Sequence, residues 1–432
     1  MWKFVRPMWI SIIVLVILSP ILALESIGLT ISITDYLNTF VAVDQKFFTS
    51  DDSVTGTLFS GHCKIIGYTK SHVPDVVCHV SSQELPRTRN STTRSCDLRM
   101  NPEEAVGGIQ SKFFGVFELE PLTSTQILLK WSEIFMYHLY VRVILVDMKD
   151  CSHTRMRFHE DMRKGHLFGN LVVHHDTFDV LIADDQLCGS EKCRITFNKL
   201  GERIGVPMPF QTAFEGVMTT CISEYRKGHR GFFVLGFDNA NPKQNRYKLT
   251  HVSETGIEKH LTTFQKHRHQ YAAISSSHHR YGICVMLMYS TELQCLQYDM
   301  NAKIMMNQRM MLSKNSTLLG VHNMAGGGLV LLTSDCYQAQ GFFYICRDFM
   351  LNKLHKDGHL DSMFTIANHN FLCDMSSRNT RMQVFEGAGE YCFFLTCMYQ
   401  DRSWGLDEIS FKFQFKSACI KKVHMDHKLQ IF

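Results

Sequence analysis

Proline is scarce in this sequence, 9 in 432 residues, and so is tryptophan, with 4. Scarce proline beside 45% hydrophobic residues excludes a collagen-like chain, a disordered tail and a low-complexity linker. An excess of one charge is also missing: 45 Lys and Arg face 41 Asp and Glu, a net +4. That balance excludes the gathered basic surface of a dedicated nucleic-acid binder. No Cys-x-x-Cys occurs, so zinc-ribbon spacing is absent, and no metal or cofactor is expected. The nucleophile elbow Gly-x-Ser-x-Gly, the zinc-protease motif His-Glu-x-x-His and the phosphate loop are absent too. His159-Glu160-Asp161 starts like the second of these, but Arg163 takes the place of the second histidine. No catalytic residue is therefore assigned, and the reading leans away from an enzyme.

What is present begins with an export signal. Lys3 and Arg6 precede an apolar run from Met8 to Leu24, with Pro20 and then the small Ala23 near its end. This order matches a secretory signal peptide over residues 1–23. The run is slightly short of the roughly 20 apolar residues a spanning helix needs; an uncleaved anchor holding an ectodomain is the alternative. No second run of that length follows. All 15 cysteines lie after this segment, where an oxidising compartment would pair most of them. The odd number leaves at least one free or intermolecular. Asn90-Ser-Thr and Asn315-Ser-Thr are glycosylation acceptors in polar, loop-like stretches.

A strand motif recurs along the rest of the chain. Short continuous apolar runs end in a polar turn, often with Asp: Val141–Asp147, Phe178–Asp184, Phe232–Asp238, Ile283–Ser290, Leu329–Asp335 and Phe393–Asp401. Phe40–Asp44 and Cys63–Gly67 are weaker examples. Each has strand length, and unbroken apolarity means burial on both faces. A second strand follows several of them, ending with the alternating Ile409–Phe415. From Asp184 onward the units repeat every 45–55 residues or so, although the step from Asp147 is shorter and that to Asp401 longer. Units of this size holding about four strands predict an all-β chain, a β-propeller of about seven blades (six to eight) filling residues 24–432 as one domain. Ile27–Ile33 could complete the last blade beside Ile409–Phe415. Arrays of β-sandwiches are the main rival, but their strands alternate apolar and polar more strictly. Few tryptophans and the single Gly326-Gly327-Gly328 run fit neither Trp-Asp nor kelch repeats. Ser152–Lys164, rich in Arg, His, Glu and Met, is the best helix candidate, with an exposed loop as the alternative.

Three cysteine pairs flank turns and can staple hairpins: Cys188 with Cys193, Cys284 with Cys295, and Cys336 with Cys346. Cys392 and Cys397 share one strand and are too far apart to bond each other. Neighbouring histidines such as His174-His175 and His278-His279 point to opposite faces of a strand, which makes them poor joint metal ligands. Asp51-Asp52 and Asp184-Asp185 read as turn carboxylates, and the methionine doublets at Met305 and Met310 as core. The expectation is a secreted, N-glycosylated, disulfide-containing propeller that binds an extracellular protein or glycan. A glycan hydrolase and a tethered ectodomain are the alternatives.

Overall fold

The computed structural model describes residues 31–33, 41–49, 56–68, 74–85, 92–100, 116–135, 138–161, 169–174, 176–189, 192–209, 220–222, 231–238, 246–265, 273–277, 280–286, 291–313, 316–338, 344–367, 373–374, 381–386, 390–401 and 410–421. Their strands form seven antiparallel sheets, nearly all built from four consecutive strands. The first described strand, β1 (Ile31–Ile33), belongs to the last sheet. Blade 1 is β2 (Val41–Thr49), β3 (Gly56–Tyr68), β4 (Pro74–Leu85) and β5 (Thr93–Met100). Blade 2 is β6 (Val116–Pro121), β7 (Gln126–Phe135), β8 (His138–Asp147) and β9 (His153–Asp161). Blade 3 is β10 (Asn170–Val173), β11 (Thr177–Ile182), β12 (Cys193–Asn198) and β13 (Arg203–Pro209), with the one-turn helix α1 (Asp185–Cys188) between β11 and β12. Blade 4 is β14 (Thr220–Ile222), β15 (Phe232–Asp238), β16 (Arg246–Val252) and β17 (Glu258–Gln265). Blade 5 is β18 (Ala273–Ser277), β19 (Arg280–Met286), β20 (Glu292–Asp299) and β21 (Ile304–Met311). Blade 6 is β22 (Ser316–Asn323), β23 (Leu329–Gln338), β24 (Tyr344–Leu354) and β25 (Leu360–Ala367), and β26 (Cys373–Asp374) pairs with β24. Blade 7 is β27 (Arg381–Glu386), β28 (Glu390–Asp401), β29 (Ser410–Lys421) and β1.

The first strand of each blade lies toward the centre. β2 touches β6 and β27, β10 touches β6 and β14, and β22 touches β18 and β27. The sheets thus follow one another around a closed ring, a seven-bladed propeller. The ring is fastened in blade 7, where Ile31, Ser32 and Ile33 pair with Phe413, Lys412 and Phe411. Joining the two ends of the chain in one sheet removes a free edge.

Continuous apolar runs have a direct cause in this ring. Ile127, Leu129 and Trp131 of β7 pack against Phe59, Cys63 and Val80 of blade 1, while Leu128 packs against Phe178 and Val180 of blade 3. Alternate residues therefore serve two seams, so a polar residue in such a strand is buried and needs a partner. Every residue of β11 is buried. Five of the six motif runs are the second strands of blades 3 to 7; Val141–Asp147 instead lies in β8, the third strand of blade 2. This explains the short step between Asp147 and Asp184. The true second strand, β7, is interrupted by Lys130, whose buried ammonium stands 2.7 Å from Glu118 Oε2 on β6.

The helix expected over Ser152–Lys164 is not formed; β9 occupies His153–Asp161. Met156, Phe158 and Glu160 are buried and the residues between them are not, a period of two. Among the described residues no helix is long and apolar enough to cross a membrane.

Candidate functional site

One kind of turn is used repeatedly within the blades. In Asn198–Glu202, Ser253–Ile257, Asp299–Lys303 and His355–His359, the first residue's N–H donates to the carbonyl four residues on, and its carbonyl accepts from the N–H three residues on. All four link the third and fourth strands of a blade, and Met324–Gly328 repeats the pattern between the first and second strands of blade 6. Side chains reinforce it: Asn198 Oδ1 accepts from the Leu200 and Glu202 N–H groups, and Asp299 Oδ1 from those of Asn301 and Lys303. The fourth position needs a positive φ, +79° at Gly201 and +90° at Gly327. A Cβ on Gly201 would also stand 2.9 Å from Thr154 Cγ2 of blade 2. Gly201→Ala is therefore expected to destabilise the fold by about 1–2 kcal/mol, read as a lowered midpoint in urea unfolding.

Disulfides tie the same scaffold. Cys63 is bonded to Cys78, Cys284 to Cys295 and Cys336 to Cys346, with Cα atoms 3.9, 4.1 and 4.0 Å apart. Each pair stands directly opposite in neighbouring strands, at closely spaced ladder positions. Cys188 is bonded to Cys193 across α1. Cys392 is disulfide-bonded as well, and Cys419 faces it in the β28–β29 register. Cys96 and Cys151 are also bonded, and this bond joins blade 1 to the β8–β9 turn of blade 2. Neither Cys63–Cys78 nor Cys96–Cys151 was anticipated. The first was legible in principle, because its cysteines sit symmetrically about a polar turn; the second joins two separate blades and leaves no local trace.

Two polar clusters lie in the seams. In blade 3, Asp179 is fully buried in β11. Its Oδ2 is 2.8 Å from His174 Nε2 and 3.7 Å from Arg194 Nη1, and its Oδ1 accepts from Thr196 Oγ1 at 2.7 Å. Arg194 reaches on to the Glu254 carbonyl of blade 4 at 2.6 Å. Three groups thus fix the Asp179 carboxylate, Arg194 with the opposite charge among them, and Arg194 bridges on to blade 4.

The second cluster joins blades 5, 6 and 7. Asn323 donates to the Ser275 and Arg280 carbonyls, and its Oδ1 accepts from Gln297 Nε2 at 2.8 Å. Arg280 Nη1 donates to the Met324 carbonyl at 3.0 Å and, more weakly, to that of Ala325 at 3.4 Å. The Ala325 N–H points to Glu386 Oε2 of blade 7 at 3.4 Å. This latch surrounds the turn Met324–Gly328, which carries the only triple glycine of the sequence. Lys356, from the neighbouring β24–β25 turn, lies across Gly327. Beside it, Asp361 holds both His355 and His359, at 2.9 and 2.7 Å.

A hydroxyl in the blade 4–5 seam has a different environment. Tyr281 stacks on Phe233 with ring centroids 4.2 Å apart, and Tyr298 stands opposite Tyr281 in the sheet. Tyr298 is buried, its hydroxyl has no partner among the described residues, and burial pushes its pKa up to about 12. The unfolded phenol ionises near pH 10, so stability is complete below that pH and is lost as pH rises toward 12. Tyr298→Phe is expected to raise stability at neutral pH by roughly 1 kcal/mol and to flatten this alkaline limb, measured by unfolding across pH 8–12.

The other residues singled out by sequence fall as follows. Asn90 and Asn315 lie outside the described residues, as do Asp51, Asp52, His175, His278 and His279. Asp184 caps α1, accepting from the Gln186 and Leu187 N–H groups. Glu160 is buried in β9 and accepts from the Gly169 N–H. Met306 is buried on β21, whereas Met305 and Met311 are exposed on that outer strand. No group of three or more His, Cys, Asp or Glu among the described residues could hold a metal ion.

No protein-family model matches the chain, and no curated protein matches it. Among solved structures it is similar to the β-propeller domain of the Trilobed protease from Pyrococcus furiosus, at 10% identity and a TM-score of 0.44, over 88% of this chain and 94% of that one. It is also similar to the WD40 domain of SCAP from fission yeast, at 7% identity and a TM-score of 0.35, over 90% of this chain and 98% of that one. A subtype N10 neuraminidase-like protein from a little yellow-shouldered bat isolate matches at 12% identity and a TM-score of 0.36, over 72% of this chain and 96% of that one. The propeller assignment rests on the strand pairing itself, a ring of four-stranded blades fastened by β1 and β29.

Proposed function

We propose that this chain is an exported propeller that acts outside the cell as a binding module for a protein or glycan. In this reading residues 1–23 are removed on export, and Asn90 and Asn315 carry N-glycans. The observation that carries it is the set of disulfides, which cross-link blades 1, 3, 5 and 6 internally and blade 1 to blade 2. Bonds at this density are made and kept in oxidising compartments.

Expression in eukaryotic cells tests the reading, with medium and membrane fractions separated. The expected product is in the medium, begins near residue 24, loses mass on enzymatic deglycosylation and has few thiols open to alkylation. Retention in the membrane with residues 1–23 intact would make the same ring a tethered ectodomain. A cytosolic protein with all 15 thiols free would overturn the proposal.

A further inference from the structure

We infer that Arg280, Lys356 and the Gly326–Gly328 turn form a cradle for an oxyanion, the sulfate or carboxylate group of an acidic glycan. The inference rests on the binding-module reading and names the chemistry of its ligand.

Two cations converge there. Measured from the point a Gly327 Cβ would occupy, Lys356 Nζ is at 2.5 Å and Arg280 Nη1 at 3.3 Å. Like charges held this close repel, and a shared anion between them removes the repulsion. Neither has a carboxylate partner among the described residues: Arg280 donates only to main-chain carbonyls, and the Lys356 ammonium makes no hydrogen bond or ion pair. The acids nearby have partners other than these two cations. Asp361 is held between His355 and His359, Asp357 accepts from the His359 N–H, and Glu386 accepts from the Ala325 N–H on the blade 7 side of the turn.

Glycine is what makes the convergence possible. Lys356 Cε lies 1.9 Å from where a Gly327 Cβ would stand, so any side chain at 327 would expel the lysine. Gly326 is open, with nothing within 4 Å of its own Cβ position. Its amide has no acceptor among the described residues and leaves a further donor at the rim. Arg280 is anchored through the Met324 carbonyl, so the guanidinium is already in place before a ligand arrives. An anchored guanidinium and an uncommitted ammonium beside an open glycine turn suit a compact anionic group. The oxidising compartment to which the disulfides assign the chain is where sulfated and carboxylated glycans are displayed.

The test uses the full secreted chain, with heparin as the sulfated probe, hyaluronan as the carboxylated and unsulfated probe, and dextran as the neutral control. Expected is salt-sensitive binding of heparin, hyaluronan or both, and none of dextran. Lys356→Gln and Arg280→Gln should each weaken binding roughly tenfold. Lys356→Arg should restore it, and Lys149→Gln, on a turn of blade 2, should leave it unchanged. Lys356→Gln removes no hydrogen bond within the fold, so it remains informative if Arg280→Gln disturbs the latch. Heparin binding alone assigns the cradle to sulfate; equal dependence of hyaluronan binding on Lys356 assigns it to either oxyanion. Well-folded secreted protein that ignores both probes, or that loses binding equally with Lys149→Gln, overturns the cradle and leaves the export reading intact. Failure of export is scored separately, from the medium fraction, and counts against the proposed function instead.

Discussion

Replacing Cys96 and Cys151 together by serine is expected to lower the free energy of unfolding by about 4 kcal/mol. The bond closes a loop with a sequence separation of 55, against 5 for Cys188–Cys193 and 15 for Cys63–Cys78. Loop-closure entropy grows with the logarithm of length, so the shortest of these bonds is worth only about 2 kcal/mol on the same argument. Position adds to length. The short bonds stay within one blade, Cys63–Cys78 between paired strands and Cys188–Cys193 across α1, whereas Cys96–Cys151 holds one blade to the next. Arg155 reinforces the same seam by donating to the Arg99 carbonyl at 3.0 Å. Urea unfolding of the double variant beside Cys188→Ser/Cys193→Ser gives the comparison. Equal losses in the two would show that loop length and seam position do not govern these bonds.

The second large effect is expected at Asp179. Asp179→Ala removes a buried carboxylate that faces Arg194 and His174, and should cost about 3–5 kcal/mol. Most of that loss comes from the buried Arg194 charge losing the Asp179 carboxylate, not from the pair's own attraction. A second change should therefore recover part of it: Asp179→Ala with Arg194→Met is expected to be more stable than Asp179→Ala alone. Calorimetric unfolding of the three variants decides this. If the double variant is the less stable one, the Arg194 contact with the Glu254 carbonyl matters more than the ion pair.

The second strands were readable from sequence for a physical reason. They sit between two seams, so Phe232–Leu235 and Leu329–Leu332 are apolar on both faces. Inner strands such as β10 and β14 are short, and the outer strand β13 is mostly exposed, so neither imposes a strong pattern. Lys130 interrupted β7 and shifted the apparent repeat onto β8. The Arg, His, Glu and Met content of β9 suggested a helix, whereas the alternate burial of Met156, Phe158 and Glu160 is that of a strand. Hairpin disulfides were legible because their cysteines flank a turn. The Asp179 cluster was not, since an Asp inside an apolar run does not name its partners. The convergence of Arg280 and Lys356 depends on blades 5 and 6 meeting and on the conformation at Gly327, neither of which is local in sequence.

Closure of the ring by β1 and β29 also imposes an order in time. Blades 1 to 6 are each made from a contiguous stretch, and each can pair its strands soon after that stretch is synthesised. Blade 7 cannot, because Ile31–Ile33 must wait for Phe411–Phe413. That pairing closes the longest loop in the molecule and comes last in folding. Until it forms, β2 and β27 lack one another, and the faces of blades 1 and 7 that will meet stand open to solvent. The nascent chain is then an open arc with two unmatched ends, the shape in which one copy could pair with the next instead of with itself. Slow synthesis or a chaperone that shields those ends would favour closure over assembly into chains of propellers.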